Sequence, residues 1–169
     1  MANYKIDKNS YIPINVYISF DGVKCQIIDS DTYDLLVSAT KQIADAKKSD
    51  DNTFDESKLQ VQVNEYRPID TFVHETINML PLDSSLSELI QSEASMLNPL
   101  SGLYIDPVVM RASKIKYLLK EWTLDIPLKM TTLNNIDQLH RSTIKELGEL
   151  HPSILPFILD EYDKIVWSK

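Results

Sequence analysis

Histidine, cysteine and glycine are the residues whose spacing could support metal binding, nucleophilic catalysis or phosphate binding in this chain. The histidines are His74, His140 and His151, and none has a metal-ligand spacing with another histidine or with the single cysteine, Cys25. The glycines are Gly22, Gly102 and Gly148. So few glycines leave no glycine-rich phosphate loop, and no serine has the G-x-S-x-G context of a nucleophile elbow. The sequence therefore predicts no catalytic residue, no cofactor site and no enzyme.

Acidic residues are concentrated in the segment from Asp45 to Lys58, which contains Asp50, Asp51, Asp55 and Glu56. A calcium-binding loop needs carboxylates at alternate positions and a glycine at its turn, and the run D-D-N-T-F-D-E has neither. We therefore expect a loop or linker here and no metal site.

The charge balance limits the classes of partner. Seventeen basic residues stand against twenty-five acidic ones, which gives a net charge of -8. Proteins that bind nucleic acid neutralise phosphates with clustered lysine and arginine, so we expect no nucleic-acid partner. No apolar run is long enough to span a membrane, and Met1 to Tyr11 has no apolar stretch typical of a secretory signal. With a single cysteine, the chain fits a reducing compartment such as a cytoplasm.

The clearest local element is a β-hairpin over Ile14 to Ile27. Asp21-Gly22 is a typical two-residue turn, and pairing outward from it sets Phe20 opposite Val23. The predicted buried face then consists of Val16, Ile18, Phe20, Val23, Cys25 and Ile27. In this interpretation Cys25 is a small apolar core residue and not a reactive thiol.

The predicted fold is α+β and mostly helical, with a small antiparallel sheet near the N-terminus. Ser30 or Asp31 caps a helix, and the alternation in Leu59 to Tyr66 adds a strand beside the hairpin. We therefore assign residues 1-67 to a small α+β region and residues 68-169 to a helical region of the same compact unit. A chain of 169 residues with 43% hydrophobic content can bury a core without a metal or disulfide.

The region 68-169 contains several signals for helix starts. They lie at Asp70, at Asp83 to Ser85, at Asp106-Pro107, at Thr131 or Thr132, and at Pro152, with a further helical stretch over Ile144 to Leu150. Asn98 to Ile105 is predicted as a loop. The helix from Asp106 is the longest and is expected to end at Trp122, in phase with its apolar stripe. Pro127 forces Thr123 to Met130 into an extended arm.

Tryptophan is enriched both in cores and in protein interfaces. Trp122 fits a core position at the end of the long helix, and Trp167 needs something to pack on, either its own domain or a partner. The candidate protein-contact residues are Trp122, Leu124, Ile126, Leu128 and Trp167.

One resemblance to a known family lies in the C-terminal half. A lysine-flanked helix over Ile115 to Glu121 leads into Trp122-Thr123-Leu124-Asp125 and the arm Ile126-Pro127-Leu128, followed by Leu139, Leu147, Pro152, Ile154, Ile158 and Tyr162. From Pro107 to Ile165 the chain resembles the tail assembly chaperones and baseplate-hub assembly proteins of tailed bacteriophages. The hairpin and the acidic segment have no counterpart in that pattern. The resemblance implies a non-enzymatic component or assembly factor of a tail or baseplate.

Such a factor would contact other phage structural proteins or itself, in an oligomer or a larger assembly, in the host bacterial cytoplasm or in the virion tail. Its contacts would use an exposed apolar groove near the Trp122 arm or a free sheet edge. A second hypothesis is an acidic binding or inhibitory protein that occupies a basic surface on a bacterial target. A third is an enzyme whose cleft forms only on folding.

Overall fold

The computed structural model describes residues 10–49, 63–98, 102–124 and 150–167. The strands are β1 (Ile12–Phe20), β2 (Cys25–Asp29), β3 (Val73–Met79), β4 (Ser95–Asn98), β5 (Gly102–Ile105) and β6 (Leu119–Trp122). The helices are α1 (Ser30–Ser49), α2 (Ser84–Ala94), α3 (Pro107–Leu118) and α4 (Ile154–Trp167), with a short 3₁₀ helix at Ile69–Thr71. In the part of the chain that these ranges cover, no helix is long and apolar enough to cross a membrane.

The fold is α+β, as the sequence predicts. Strands β2, β1, β3 and β6 form a four-stranded antiparallel sheet in that order, and β4 and β5 form a two-stranded antiparallel sheet. By its contacts the chain divides into a first unit, Asn15–Glu75, and a second unit, Met1–Ile14 with Thr76–Lys169.

The hairpin of the first unit is present, but its predicted register is wrong. Phe20 pairs with Cys25 and Ile18 with Ile27, so the strands are shifted by two residues. The reason is the Asp21 carboxylate, whose Oδ1 accepts hydrogen bonds from the N–H groups of Val23 (3.0 Å) and Lys24 (2.8 Å). These bonds favour a four-residue loop over a two-residue turn, and they leave Phe20 and Val23 exposed.

The opposite face of this hairpin is also buried, which the alternation pattern does not indicate. Ile28 packs with Leu36 of α1 and with Phe72 in one apolar cluster. Tyr17, which is not on the predicted buried face, stacks on Tyr33 with ring centroids 3.7 Å apart. Helix α1 is capped by Asp29, one residue earlier than predicted, through a 2.8 Å hydrogen bond from the Thr32 N–H.

The third strand lies later in the chain than predicted. Residues 63 and 64 are helical, and residues 59–62 of the predicted strand lie outside the described ranges. The predicted acidic loop is wrong in its first part, because residues 45–49 belong to α1, and residues 50–58 lie outside the described ranges. The segment predicted as a helix after Asp70 forms β3 instead, with Ile77 and Met79 fully buried. Its apolar residues fit both a helical and a strand period, and β-branched residues favour the strand.

In the second unit, α2 and α3 begin where the sequence predicts. The side chains of Asp83 and Asp106 cap them, and Pro107 occupies the first turn of α3. The predicted loop from Asn98 to Ile105 is wrong in part, because Gly102–Ile105 pairs with Ser95–Asn98 as β5 with β4. Met96 and Leu97 therefore belong to a strand and not to the end of α2.

The long helix is shorter than predicted. Helix α3 ends at Leu118, and Leu119–Trp122 forms β6, in which Trp122 pairs with Ile77 of β3. The Leu80 N–H donates a hydrogen bond to the Leu118 carbonyl (2.7 Å). This carbonyl at the end of α3 is therefore satisfied by the residue that follows β3. Trp122 is half-buried in the sheet. Residues 125–149, which include the rest of the predicted arm and two predicted helices, lie outside the described part.

Candidate protein-contact site

A cleft of about 240 Å³ opens on the second unit between α2, α3 and α4. Most of its surface is apolar. The apolar lining residues are Leu82, Ile90, Met110 and Trp167, and the polar ones are Ser87, Gln91, Lys114 and Asp163. Ile90 is buried at the base, whereas Trp167 is 69% exposed. A bulky aromatic residue is therefore held in solvent beside an apolar recess.

The spacing along the helices places these side chains on the cleft. Met110 and Lys114 are four residues apart on α3, and Asp163 and Trp167 are four residues apart on α4, so each pair shares a helix face. On α2, Ser87, Ile90 and Gln91 follow the same rule. The caps at Asp83 and Asp106 fix the starts of α2 and α3 and hence the positions of these faces.

An ion pair forms one wall of the cleft. Lys114 Nζ donates to both carboxylate oxygens of Asp163, at 2.9 Å and 2.7 Å. The side chains are 20% and 37% exposed. Because the two charges engage each other, this wall has hydrogen-bonding capacity but little net charge.

A polar cluster joins α2 to α3. Glu93 accepts hydrogen bonds from Lys116 Nζ (2.6 Å), from Ser113 Oγ (2.8 Å) and from the Tyr117 hydroxyl. The Lys116 side chain is only 4% exposed and lies 4.4 Å from the centroid of the Tyr117 ring. Four polar groups therefore satisfy one another at the contact of two helices.

The pKa shifts in this cluster follow from burial and hydrogen bonding. Burial alone would raise the pKa of Glu93, but the hydrogen bonds from Lys116, Tyr117 and Ser113 outweigh it and lower the pKa. Burial would likewise lower the pKa of Lys116, but the bond to Glu93 raises it on balance. Burial and the carboxylate both raise the pKa of Tyr117. The pair therefore stays charged at neutral pH.

Tyr162 anchors α4 from the core side. Its ring is fully buried, and its hydroxyl donates a 2.8 Å hydrogen bond to the Leu80 carbonyl. Burial, together with the nearby Asp163 carboxylate, raises the pKa of Tyr162 to about 12. Asp163, the next residue, is thereby directed to Lys114 at the cleft wall.

The structure describes three of the five sequence-predicted contact residues. Trp167 lines the cleft, whereas Trp122 and Leu124 are half-buried and are not among the lining residues. Ile126 and Leu128 lie outside the described ranges. The sequence analysis did not identify the other residues that line the cleft. The four-residue spacing from Asp163 to Trp167 is a signal that these two side chains share a helix face.

The residues considered for metal or nucleophilic chemistry have other surroundings. His74 stacks on Tyr17 and contacts Asn15 Oδ1 through Nε2 (3.2 Å), and His151 contacts Ser153 Oγ through Nδ1 (2.8 Å). Cys25 is half-buried on β2, and His140 lies outside the described ranges. Among the residues that the structure describes, no three His, Cys, Asp or Glu side chains are grouped to hold a metal ion.

Comparison of the chain with protein-family models, with curated proteins and with solved structures returned no match.

Proposed function

We propose that this protein is a non-enzymatic protein-binding factor whose α2–α3–α4 cleft receives an apolar side chain of a partner protein. The observation that supports this proposal most strongly is Trp167, 69% exposed beside an apolar recess. Exposed tryptophan next to a pocket is typical of interface hot spots, because a large rigid ring is desolvated at low entropic cost.

The size of the cleft favours a side chain as its occupant. Its volume of about 240 Å³ lies below the roughly 300–1,000 Å³ of pockets that bind drug-sized ligands. A leucine, methionine or phenylalanine from a partner would contact Ile90 and Met110 and would cover Trp167. Backbone groups of the same partner segment could bond to Ser87 and Gln91.

The polar groups of the cleft support binding more than catalysis. A general acid or base needs a proton-transfer group directed at a substrate. Lys114 and Asp163, the charged residues of the lining, direct their charges at each other. The pair therefore suits a role in shaping the cleft wall.

We further propose that the partner is a tail or baseplate subunit of a bacteriophage. This part of the proposal rests on the sequence resemblance from Pro107 to Ile165. The position of Trp122 on β6, and not at a helix end, weakens one feature of that resemblance. The second hypothesis, an acidic protein on a basic target, rests on the net charge of -8.

The test is the presence of the protein in purified virions and in tail-assembly intermediates, measured by mass spectrometry. We expect it in at least one of the two, and its absence from both would exclude the phage-tail role. The salt dependence of the affinity distinguishes binding through the apolar cleft from binding steered by the net charge. Contacts through the apolar cleft should persist at high ionic strength, whereas binding steered by the net charge should weaken steeply.

A further inference from the structure

Trp167 is the last residue of α4 and lies beside the apolar part of the cleft, a recess lined by Leu82, Ile90 and Met110. The Trp167 side chain is 69% exposed, whereas Ile90 at the base of the recess is 2% exposed. In this arrangement the ring and the mouth of the recess both face water. Contact between two apolar surfaces is favourable, and these two belong to one chain, so their contact needs no second molecule.

The recess is large enough to hold an indole ring. An apolar cavity of about 150 Å³ binds a benzene molecule, and this cleft has a volume of about 240 Å³. The flexible thioether of Met110 adapts to different shapes, and its sulfur contacts aromatic rings favourably. Lys114 and Asp163 on the cleft wall are engaged with each other. A ring that enters the recess therefore meets no unpaired charge on that wall.

The position of Trp167 on α4 allows its ring to move while the helix stays folded. Aromatic side chains in α-helices have two common χ1 rotamers, and both lay the side chain over the preceding turn. In that turn Asp163 lines the cleft, whereas Lys164 is exposed. A change of rotamer therefore swings the ring between the cleft and solvent. Exposed side chains change rotamer within nanoseconds, and the last turn is the part of a helix that opens most easily.

We propose that Trp167 is a gate of the cleft, with a closed form in which its ring fills the recess and an open form in which the ring stands in solvent. The structure describes the open form. The closed form excludes a partner side chain from the recess. This exclusion of a partner rests on the proposed function, whereas the closure itself does not. If the two forms are equally populated, closure weakens partner binding about twofold, which leaves the open ring as the main contact residue.

The first test is acrylamide quenching of Trp167 fluorescence in Trp122→Phe, where Trp167 is the only tryptophan. The reference is Val108→Trp in a chain that also has Trp122→Phe and Trp167→Phe. Val108 is 58% exposed, less than Trp167, so a ring that stays open would be quenched at least as strongly as the reference. With equal populations, closure predicts a quenching constant about half that of the reference. A constant no lower than the reference would overturn the proposal.

The second test uses the native chain and does not depend on the folding of a variant. Fluorotryptophan is incorporated at both tryptophans, and Trp167→Phe identifies the fluorine NMR signal of Trp167. With equal populations, the shift of this signal between ordinary and heavy water should be about half that of the denatured chain. A shift equal to that of the denatured chain would overturn the gate.

Failure of the gate and failure of the proposed function give different results. If Trp167 does not close, partner binding at the open cleft still stands and is tested by the affinity of Trp167→Ala for the partner. If Trp167 closes but no partner binds at the cleft, the gate stands and the proposed function is refuted.

Discussion

Glu93 is the residue on which the contact of α2 with α3 depends. Three donors from α3, on Ser113, Lys116 and Tyr117, converge on its carboxylate. The Lys116 side chain is only 4% exposed, so its charge is largely shielded from bulk water. Removing one member of a buried charge pair costs more than the pair contributes, because the remaining charge is left without compensation.

We therefore predict that Glu93→Gln lowers the free energy of unfolding by about 2–4 kcal/mol at neutral pH. Chemical denaturation would measure it. Glu88→Gln, at an exposed position of the same helix, is the control and should change stability by no more than about 0.5 kcal/mol. Adding Lys116→Met to Glu93→Gln should restore most of the loss. If Glu93→Gln were as stable as Glu88→Gln, the pairing of Glu93 with Lys116 would not contribute to stability.

Ionisation of Tyr162 lowers the stability of the fold at alkaline pH. Its pKa rises from 10.0 to about 12 on folding, so the folded state favours the neutral phenol. The stabilisation is complete below pH 10 and is lost as the pH rises through the folded pKa. A shift of two units corresponds to about 3 kcal/mol at most.

We predict that Tyr162→Phe is less stable than the native chain at neutral pH and loses this disadvantage at alkaline pH. Near pH 7 it loses the hydrogen bond to Leu80 and should be about 1–2 kcal/mol less stable than the native chain. Between pH 10 and 12 the native chain should lose this advantage, because only the native chain has a buried phenol at position 162 that ionises on unfolding. Urea unfolding across that range measures both, and a constant difference would refute the assignment.

At the scale of the elements, helix starts are predictable and some helix ends are not. Asp83 and Asp106 are the caps that the sequence indicates. Helix α3 ends at Leu118 without a glycine or proline, because the chain continues directly into β6 and pairs with β3. That pairing depends on residues some forty positions away, so no local pattern could indicate it. The hairpin register was predicted wrongly for a local reason, because the Asp21 side chain accepts hydrogen bonds from the backbone of its own loop.

The cap of α3 has a measurable energy. We predict that Asp106→Ala lowers the free energy of unfolding by about 1 kcal/mol, because the N–H groups of Val108 and Val109 lose their acceptor. Asp45→Ala removes an exposed carboxylate within α1 and serves as the control for lost charge. Thermal unfolding of both variants measures the effect. Equal melting temperatures would show that the cap is not needed.

At the scale of the whole molecule, the sequence predicted the α+β class and, among the described helices, the starts of α2 and α3. It also singled out Trp167. It could not predict the cleft, because Ile90, Met110 and Asp163 lie on separate helices that only the packing of the chain brings together. The apolar segment after Asp70 had two compatible periods, and the available partner strand decided between them.

The chain has a net charge of -8, but two of its features carry no net charge. The cleft has its charges paired, and β5 has none. Binding at the cleft should therefore depend on apolar burial and only slightly on salt.

The most direct test of the central proposal is the affinity of purified tail or baseplate subunits for Trp167→Ala, measured by titration calorimetry. The control is Phe20→Ala, which removes another exposed aromatic ring from the first unit. We predict that a subunit binds the native chain and the control equally and binds Trp167→Ala at least about 30-fold more weakly, the effect of a 2 kcal/mol hot spot. Equal binding to Trp167→Ala and the native chain would contradict the proposal.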